Sequence, residues 1–241
     1  MATQTPAAPA FTGFRPEAIQ FLADLAANND RAWFQPRKAD FERLLRDPLV
    51  ALIAALGERF EARGIPLRAD PTRSPFRIYR DTRFSKDKSP YKTNVGASFP
   101  WVEATTGPDG PIGVTERHGP GGYFHLQPGE IYVGGGMWHP EPAQLASFRR
   151  AVVDERARVH ATFEEPGFLA AFDGISDDGE SLKRVPAGFS ADDPDADWLR
   201  LKNVVFGKRL SDADAASPAL PDILADAFAA GLPVMRFIAS L

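Results

Sequence analysis

The chain has 241 residues, 44% of them hydrophobic and 25% charged, with no cysteine and a formal net charge of −4. This balance fits one globular domain over residues 11–241 behind a flexible tail at residues 1–10, and it excludes disordered and fibrous classes. Without cysteine, disulfides, thiolate catalysis and cysteine-held zinc or iron–sulfur centres are ruled out. Residues 1–10 have no basic start and no apolar run long enough for a secretory leader, and no later stretch approaches the roughly 20 apolar residues of a membrane helix. A cytoplasmic protein without a membrane partner is expected.

In chain order, Pro16 suits a first helical position, and Ile19, Leu22, Leu25 and Ala26 follow at helical spacing. Asn28-Asn29 ends that helix and Asp30 caps the next. Phe41, Leu44 and Leu45, then Leu49, Leu52, Ile53, Leu56 and Phe60, predict helices interrupted near Pro48 and ending at Gly64. After Pro75 the period becomes two: Phe76 and Ile78 are assigned to the core, and Arg77, Tyr79, Asp81 and Arg83 to the opposite face. A turn over residues 85–90 leads to an antiparallel partner with Val95, Ala97, Phe99 and Trp101 alternating.

Residues 105–122, rich in Gly and Pro, read as a long loop with a short extended piece at 112–115. Pro128-Gly129 suits a type II turn between strands at 123–127 and 130–133. Glu141-Pro142 opens a helix carrying Leu145, Phe148, Val152 and Val159. Residues 199–206 read as a further strand, followed by Lys208 and Arg209, and Ser217-Pro218 starts a last helix with Leu220, Ile223, Leu224, Ala227 and Phe228. The expected architecture is α+β, an antiparallel sheet of about five strands packed with N-terminal and C-terminal helices.

Charge is concentrated in one segment. Residues 71–93 carry seven basic side chains against Asp81 and Asp87, an excess of five positive charges in an otherwise acidic chain. Guanidinium groups offer planar, two-pronged donors to carboxylate or phosphate, and lysines offer compact charge. Arg77, Arg80, Arg83 and Lys88 are therefore candidate ligand-binding residues, with Tyr79 or Tyr91 orienting the ligand and Asp81 holding one arginine. A solvated salt-bridge ladder is the plain alternative.

Arg77, Arg80, Asp81, Arg83, Phe84, Asp87, Lys88 and Tyr91 form the pattern R-x-x-R-D-x-R-F followed by an acidic-Lys pair and a Tyr. With Phe11-Thr-Gly-Phe14, Gly134-Gly-Gly-Met-Trp-His-Pro140 and Leu201-Lys-Asn-Val-Val-Phe-Gly-Lys-Arg-Leu-Ser211, this pattern resembles the conserved hypothetical proteins of domain of unknown function family 2461. The resemblance covers nearly the whole chain after residue 10. It implies no established reaction.

His125, His139, Glu130 and Glu141 invite a metal reading, but no H-E-x-x-H pattern is present and no metal is expected. Gly96-Ala-Ser-Phe-Pro100 departs from the nucleophile elbow at its last position. Gly134-Gly-Gly136 lacks the Walker Lys, and close backbone approach explains it better. Tyr123, Trp101 and Trp138 are read as core before stacking platforms.

The sequence thus supports a binding or regulatory domain for a small phosphorylated or carboxylated ligand, and it identifies no cofactor. The alternatives are an enzyme of hydrolase or transferase type, with Asp81 or Asp87 as base and His125 or His139 in support, and an interaction module for nucleic acid or protein. Nucleic acid ranks below a small anion because the basic segment is short and the rest of the chain acidic.

Overall fold

The computed structural model describes residues 10–83, 85–103, 105–107, 110–112, 119–177 and 179–241. Helix α1 (Pro16–Ala27) carries Pro16 in its first turn, where a missing N–H breaks no helical bond. The Asp30 side chain accepts from Trp33 N at 2.8 Å and caps α2 (Arg31–Phe34). α3 (Lys38–Phe41) runs through a π-helical stretch, Glu42–Arg46, into α4 (Asp47–Arg63). Pro48 falls in the first turn of α4 and so continues the helical run instead of interrupting it, and Gly64 ends it at φ 62°.

Strands β1 (Val95–Pro100), β4 (Gly121–Gln127), β5 (Glu130–Met137) and β6 (Val204–Leu210) form one antiparallel sheet in the order β1-β4-β5-β6. β2 (Thr105–Gly107) and β3 (Gly110–Ile112) pair with each other. Ile112 ends β3, and the remainder of the extended piece expected at 112–115 lies outside the described residues, as do residues 1–9 of the expected tail. Gly129, at φ 75°, takes the third position of the turn joining β4 to β5, as Pro128-Gly129 predicts.

The fold class is α+β with helices at both ends, but the sheet has four strands where about five were expected. The missing one is the segment after Pro75. Among the described residues it bridges its partner at two isolated antiparallel positions, Pro75↔Ala97 and Tyr79↔Tyr91. Four residue steps separate the bridged positions on one side and six on the other, so the ladder bulges and no continuous strand forms. Phe76 N still donates to Gly96 O (2.9 Å), Lys92 N to Ile78 O (2.8 Å) and Arg80 N to Pro90 O (2.9 Å), which leaves an irregular hairpin against the sheet edge. The strand expected at 199–206 begins later, at Val204, because Leu199 ends a short helix, α8 (Ala196–Leu199).

Helices α5 (Pro142–Asp154), α6 (Arg156–Phe163), α7 (Pro166–Phe172), α9 (Asp212–Ala216) and α10 (Leu220–Ala239) complete the fold. One face of the sheet is covered by α4, α7 and α10. Phe99 packs edge-on against Phe60 and Phe228, with centroids 5.7 and 5.4 Å away. Phe206 is held between Phe168 (5.2 Å) and Phe172 (4.7 Å) and lies so close to α10 that a Cβ on Gly231 would come within 2.4 Å of its ring. The start of the chain is tied in as well: Phe14 N donates to Ala215 O at 2.8 Å, Gly13 at φ 99° leaves no room for a Cβ beside Ala216 O, and Phe14 stacks on Phe124.

A charged clasp joins α6 to the segment before α8. His160 places Nδ1 2.8 Å from Glu164 Oε1 and Nε2 2.9 Å from Asp195 Oδ1. Arg156 bonds Asp193 at 2.6 Å, and its Nε lies 2.7 Å from Asp195 Oδ2 as an ion pair without hydrogen-bond alignment. Both imidazole nitrogens facing carboxylates favour the charged ring, and the bonds to Glu164 and then Asp195 raise the His160 pKa. No described helix is long and apolar enough to cross a membrane.

Candidate functional site

The uncovered face of the sheet is built by the same strands as the core face, from the alternate residues. Register places Gly96, His125, Tyr132 and Arg209 in one row across the four strands, and Ser98, Tyr123, Gly134 and Gly207 in the next. The Tyr132 ring lies over the glycines: a Cβ on Gly207 would sit 2.1 Å from its Oη, and one on Gly134 2.8 Å from its Cε1. Gly136 adopts φ 113° with Val204 O 2.3 Å from where its Cβ would be. Close backbone and ring approach accounts for the glycine run, which is no phosphate loop.

The irregular hairpin walls this face on the β1 side and encloses a cleft of about 1260 Å³. Phe76, Arg80, Lys92 and Asn94 line it from the hairpin, and Tyr123, His125 and Tyr132 from the sheet. Phe76, Tyr123 and Tyr132 form an aromatic row, with successive centroids 6.1 and 6.4 Å apart. The alternation read from the sequence is therefore corrected in part: Arg80 shares the parity of Phe76 and Ile78, and only Ile78 of these is buried. The bulge turns Phe76 and Arg80 toward the cleft.

The signature residues separate into cleft, rim and core. The Arg80 guanidinium is held by Asp87, whose other oxygen accepts from Ser89 N (2.9 Å) and Ser89 Oγ (2.6 Å). Those bonds from Ser89, and then Arg80, keep the Asp87 carboxyl well below the usual range. Arg83 bonds Asp81 through Nη2 at 2.7 Å and Nε at 3.0 Å, which lowers the Asp81 pKa to about 2, and the Arg83 side chain is 77% exposed. Arg77 is exposed and acts on Asp81 and Lys92 through its charge. Lys88 Nζ donates to Thr82 O at 2.9 Å, bracing its own loop. Tyr79 is exposed and packs on Tyr91, whereas Tyr91 is 1% exposed, stacks on Phe34 at 4.1 Å and exchanges hydrogen bonds with the Asn29 side chain. Phe84 lies outside the described residues.

The two histidines proposed as catalytic support are far apart in role. His125 Nδ1 is 2.8 Å from Tyr123 Oη and 3.1 Å from Asn94 Nδ2, and its buried Nε2 has no hydrogen-bond partner. Burial lowers the His125 pKa, against the opposing influence of Glu130 and Gln127, so the ring is neutral near pH 7. His139, at φ 49°, is an exposed loop residue whose backbone N–H donates to the buried Asn203 side chain at 2.8 Å, beside the 64% exposed Trp138. Among the described residues no cluster of three metal-ligating side chains occurs.

Lys92 is the cleft residue that sequence reasoning counted but did not single out. Each carboxylate lining the cleft has a basic partner: Asp81 has Arg83, Asp87 has Arg80, and Glu130 lies 3.5 Å from Arg209. Lys92 makes no ion pair among the described residues and rests its ammonium 4.9 Å from the Phe76 ring centre. Burial, and then the charge of Arg77, lowers its pKa. Asn94 and Tyr132 were missed because their place depends on which strands pair. The alternation of Tyr123 and His125 with Tyr132 across a turn was the available signal.

A four-stranded antiparallel sheet, covered by helices on one face and open as a cleft on the other, defines this class of α+β protein. The family model described as conserved hypothetical protein (DUF2461) matches residues 17–237, and the chain belongs to that family. No curated protein and no solved structure matched it.

Proposed function

We propose that this protein binds a small phosphorylated or carboxylated ligand in the cleft, with Lys92 as its charge partner and Arg80 as an oriented donor. The observation that carries this reading is the partly desolvated Lys92 ammonium, which has no ion-pair partner among the described residues, in a cleft whose described carboxylates have basic partners. A cation out of water without a counter-charge is stabilised by an anion that enters beside it. Asp87 fixes one edge of the Arg80 guanidinium, so that less side-chain freedom is lost when its remaining donors meet a ligand. This shifts the ligand contacts inward from Arg77, Arg83 and Lys88 to Arg80 and Lys92.

Asp81 and Asp87 are strongly ionised and already accept hydrogen bonds, so neither is suited to take a proton near neutral pH. Nucleic acid fits less well, because backbone binding needs several unpaired cations and the hairpin's arginines at 80 and 83 are neutralised by Asp87 and Asp81.

The test is calorimetric titration with inorganic phosphate, phosphate monoesters and carboxylates, on wild type, Lys92→Met and Lys88→Ala. Saturable binding that falls at least tenfold in Lys92→Met and holds in Lys88→Ala is expected. Equal losses in both variants would reduce the effect to diffuse surface charge, and a short duplex bound more tightly than any small anion at physiological salt would put the nucleic-acid reading first.

A further inference from the structure

We propose that the ligand is a nucleoside monophosphate, with its base on the Tyr123–Tyr132 floor and its phosphate at Lys92 and Arg80; this rests on the anion-site reading above. The floor is a stacking platform. Phe76, Tyr123 and Tyr132 run from the hairpin edge across β4 to β5, neighbouring rings tilted by 40° and 53°, and Gly134 and Gly207 leave room for the Tyr132 ring beside the sheet backbone. Aromatic faces hold nucleobases by stacking, whatever the base.

The distance between platform and charge sets the shape of the ligand. Lys92 precedes β1 and Tyr132 lies on β5 with β4 between them, and the path from the Lys92 ammonium runs 4.9 Å to the Phe76 ring, 6.1 Å on to Tyr123 and 6.4 Å on to Tyr132. A bare phosphate or a short aromatic acid reaches one end only. Polar side chains, Ser98, Asn94 and Tyr123 with its hydroxyl, also line the cleft and suit the hydroxyls of a sugar. Among the described residues Lys92 is the one cleft cation without a carboxylate partner, which fits one phosphate group better than a triphosphate with its further charges.

The test compares adenosine 5′-monophosphate, ribose 5-phosphate, adenosine and a short single-stranded oligonucleotide by calorimetry. The monophosphate is expected to bind at least tenfold more tightly than either fragment. Tyr132→Leu should bring it down to the level of ribose 5-phosphate while leaving ribose 5-phosphate unchanged, and Lys92→Met should bring it down to the level of adenosine. Because Tyr132 packs on two glycines, Phe76→Ala, at a 42% exposed position, is the second platform variant and should weaken the monophosphate by a larger factor than ribose 5-phosphate, which loses only the ring beneath Lys92. Equal binding of the monophosphate and ribose 5-phosphate would overturn the platform and leave the anion site standing. Adenosine bound as tightly as the monophosphate, with no effect of Lys92→Met, would overturn the anion site itself. An oligonucleotide bound more tightly than the monophosphate would overturn the choice of a mononucleotide.

Discussion

The two faces of the four-stranded sheet come from alternate residues of the same strands, yet they have almost opposite contents. Toward the helices stand Phe99, Phe124, Val133 and Phe206, all buried and apolar; toward the cleft stand Ser98, Tyr123, His125 and Tyr132, half-buried and polar at their tips. On the first face free energy comes from burial of apolar area and close packing. On the second, an aromatic ring lies close to bare backbone and a lysine has no ion-pair partner among the described residues, an arrangement that contributes less to folding than a filled core does. Stability and ligand chemistry are thus separated by the two-residue period of a strand, and substitutions on opposite faces of one strand should separate them experimentally.

The largest effect is expected from Phe206→Ala, which empties the space between Phe168, Phe172 and α10. Urea unfolding should show a loss of about 3–5 kcal/mol, with ligand affinity per folded molecule retained. A loss below about 1 kcal/mol would mean that the helices collapse into the gap and that the inner face is less tightly packed than its geometry shows.

Gly207→Ala sharpens the comparison because it acts on the outer face through sterics alone. Its Cβ would meet Tyr132 Oη at 2.1 Å and Val133 O at 2.8 Å, so the ring must leave its place. A loss of about 1–3 kcal/mol is expected together with weakened ligand binding. Unchanged binding would show that the Tyr132 ring is not part of the site.

The two histidines extend the contrast to pH. His160, between Glu164 and Asp195, has a raised pKa, so its contribution to stability is full below the unfolded value near 6.5 and is lost as pH rises through the higher folded value. His125, buried, has a lowered pKa, so its contribution is full above 6.5 and is lost as pH falls toward the lower folded value. Titration of the two ring resonances by NMR should place His160 above 6.5 and His125 below it, and His160→Gln should flatten the stability profile on the alkaline side only. The reverse order of midpoints would break the assignment.

The smallest stability change is expected for Lys92→Met. Removing a desolvated charge while keeping the aliphatic stem should alter unfolding free energy by no more than about 0.5 kcal/mol, even as anion binding falls. A large destabilisation would show that Lys92 serves the fold.

The helices at each end, the Asp30 cap and the β4–β5 hairpin were legible because their signals are local: a proline in a first turn, an aspartate before a helix, Pro-Gly between alternating runs. The cleft was legible only in part. Alternation after Pro75 was visible, but the unequal spacing of the two bridges decides which side chains turn inward, and that depends on residues 91–97 as partner. Tyr91 stands between basic residues in sequence and looked fit to meet a ligand, while in space it stacks on Phe34, far away in the chain. Arg83 was ranked high for its charge, yet Asp81 two positions before it takes up that charge. The apolar run at 199–206 fits a strand at both ends, and nothing local marks that Leu199 is buried from a helix and Val204 from a strand.

The pinning of Phe14 to Ala215 also bears on how the protein is made. Roughly 200 residues separate the two partners, and at about 5–20 residues per second a ribosome needs on the order of 10–40 s to deliver the second after the first. During that interval Phe11 and Phe14, which end in the core, have no α9 to receive them. Phe14 thus waits for roughly 200 residues of synthesis before its partner in α9 exists.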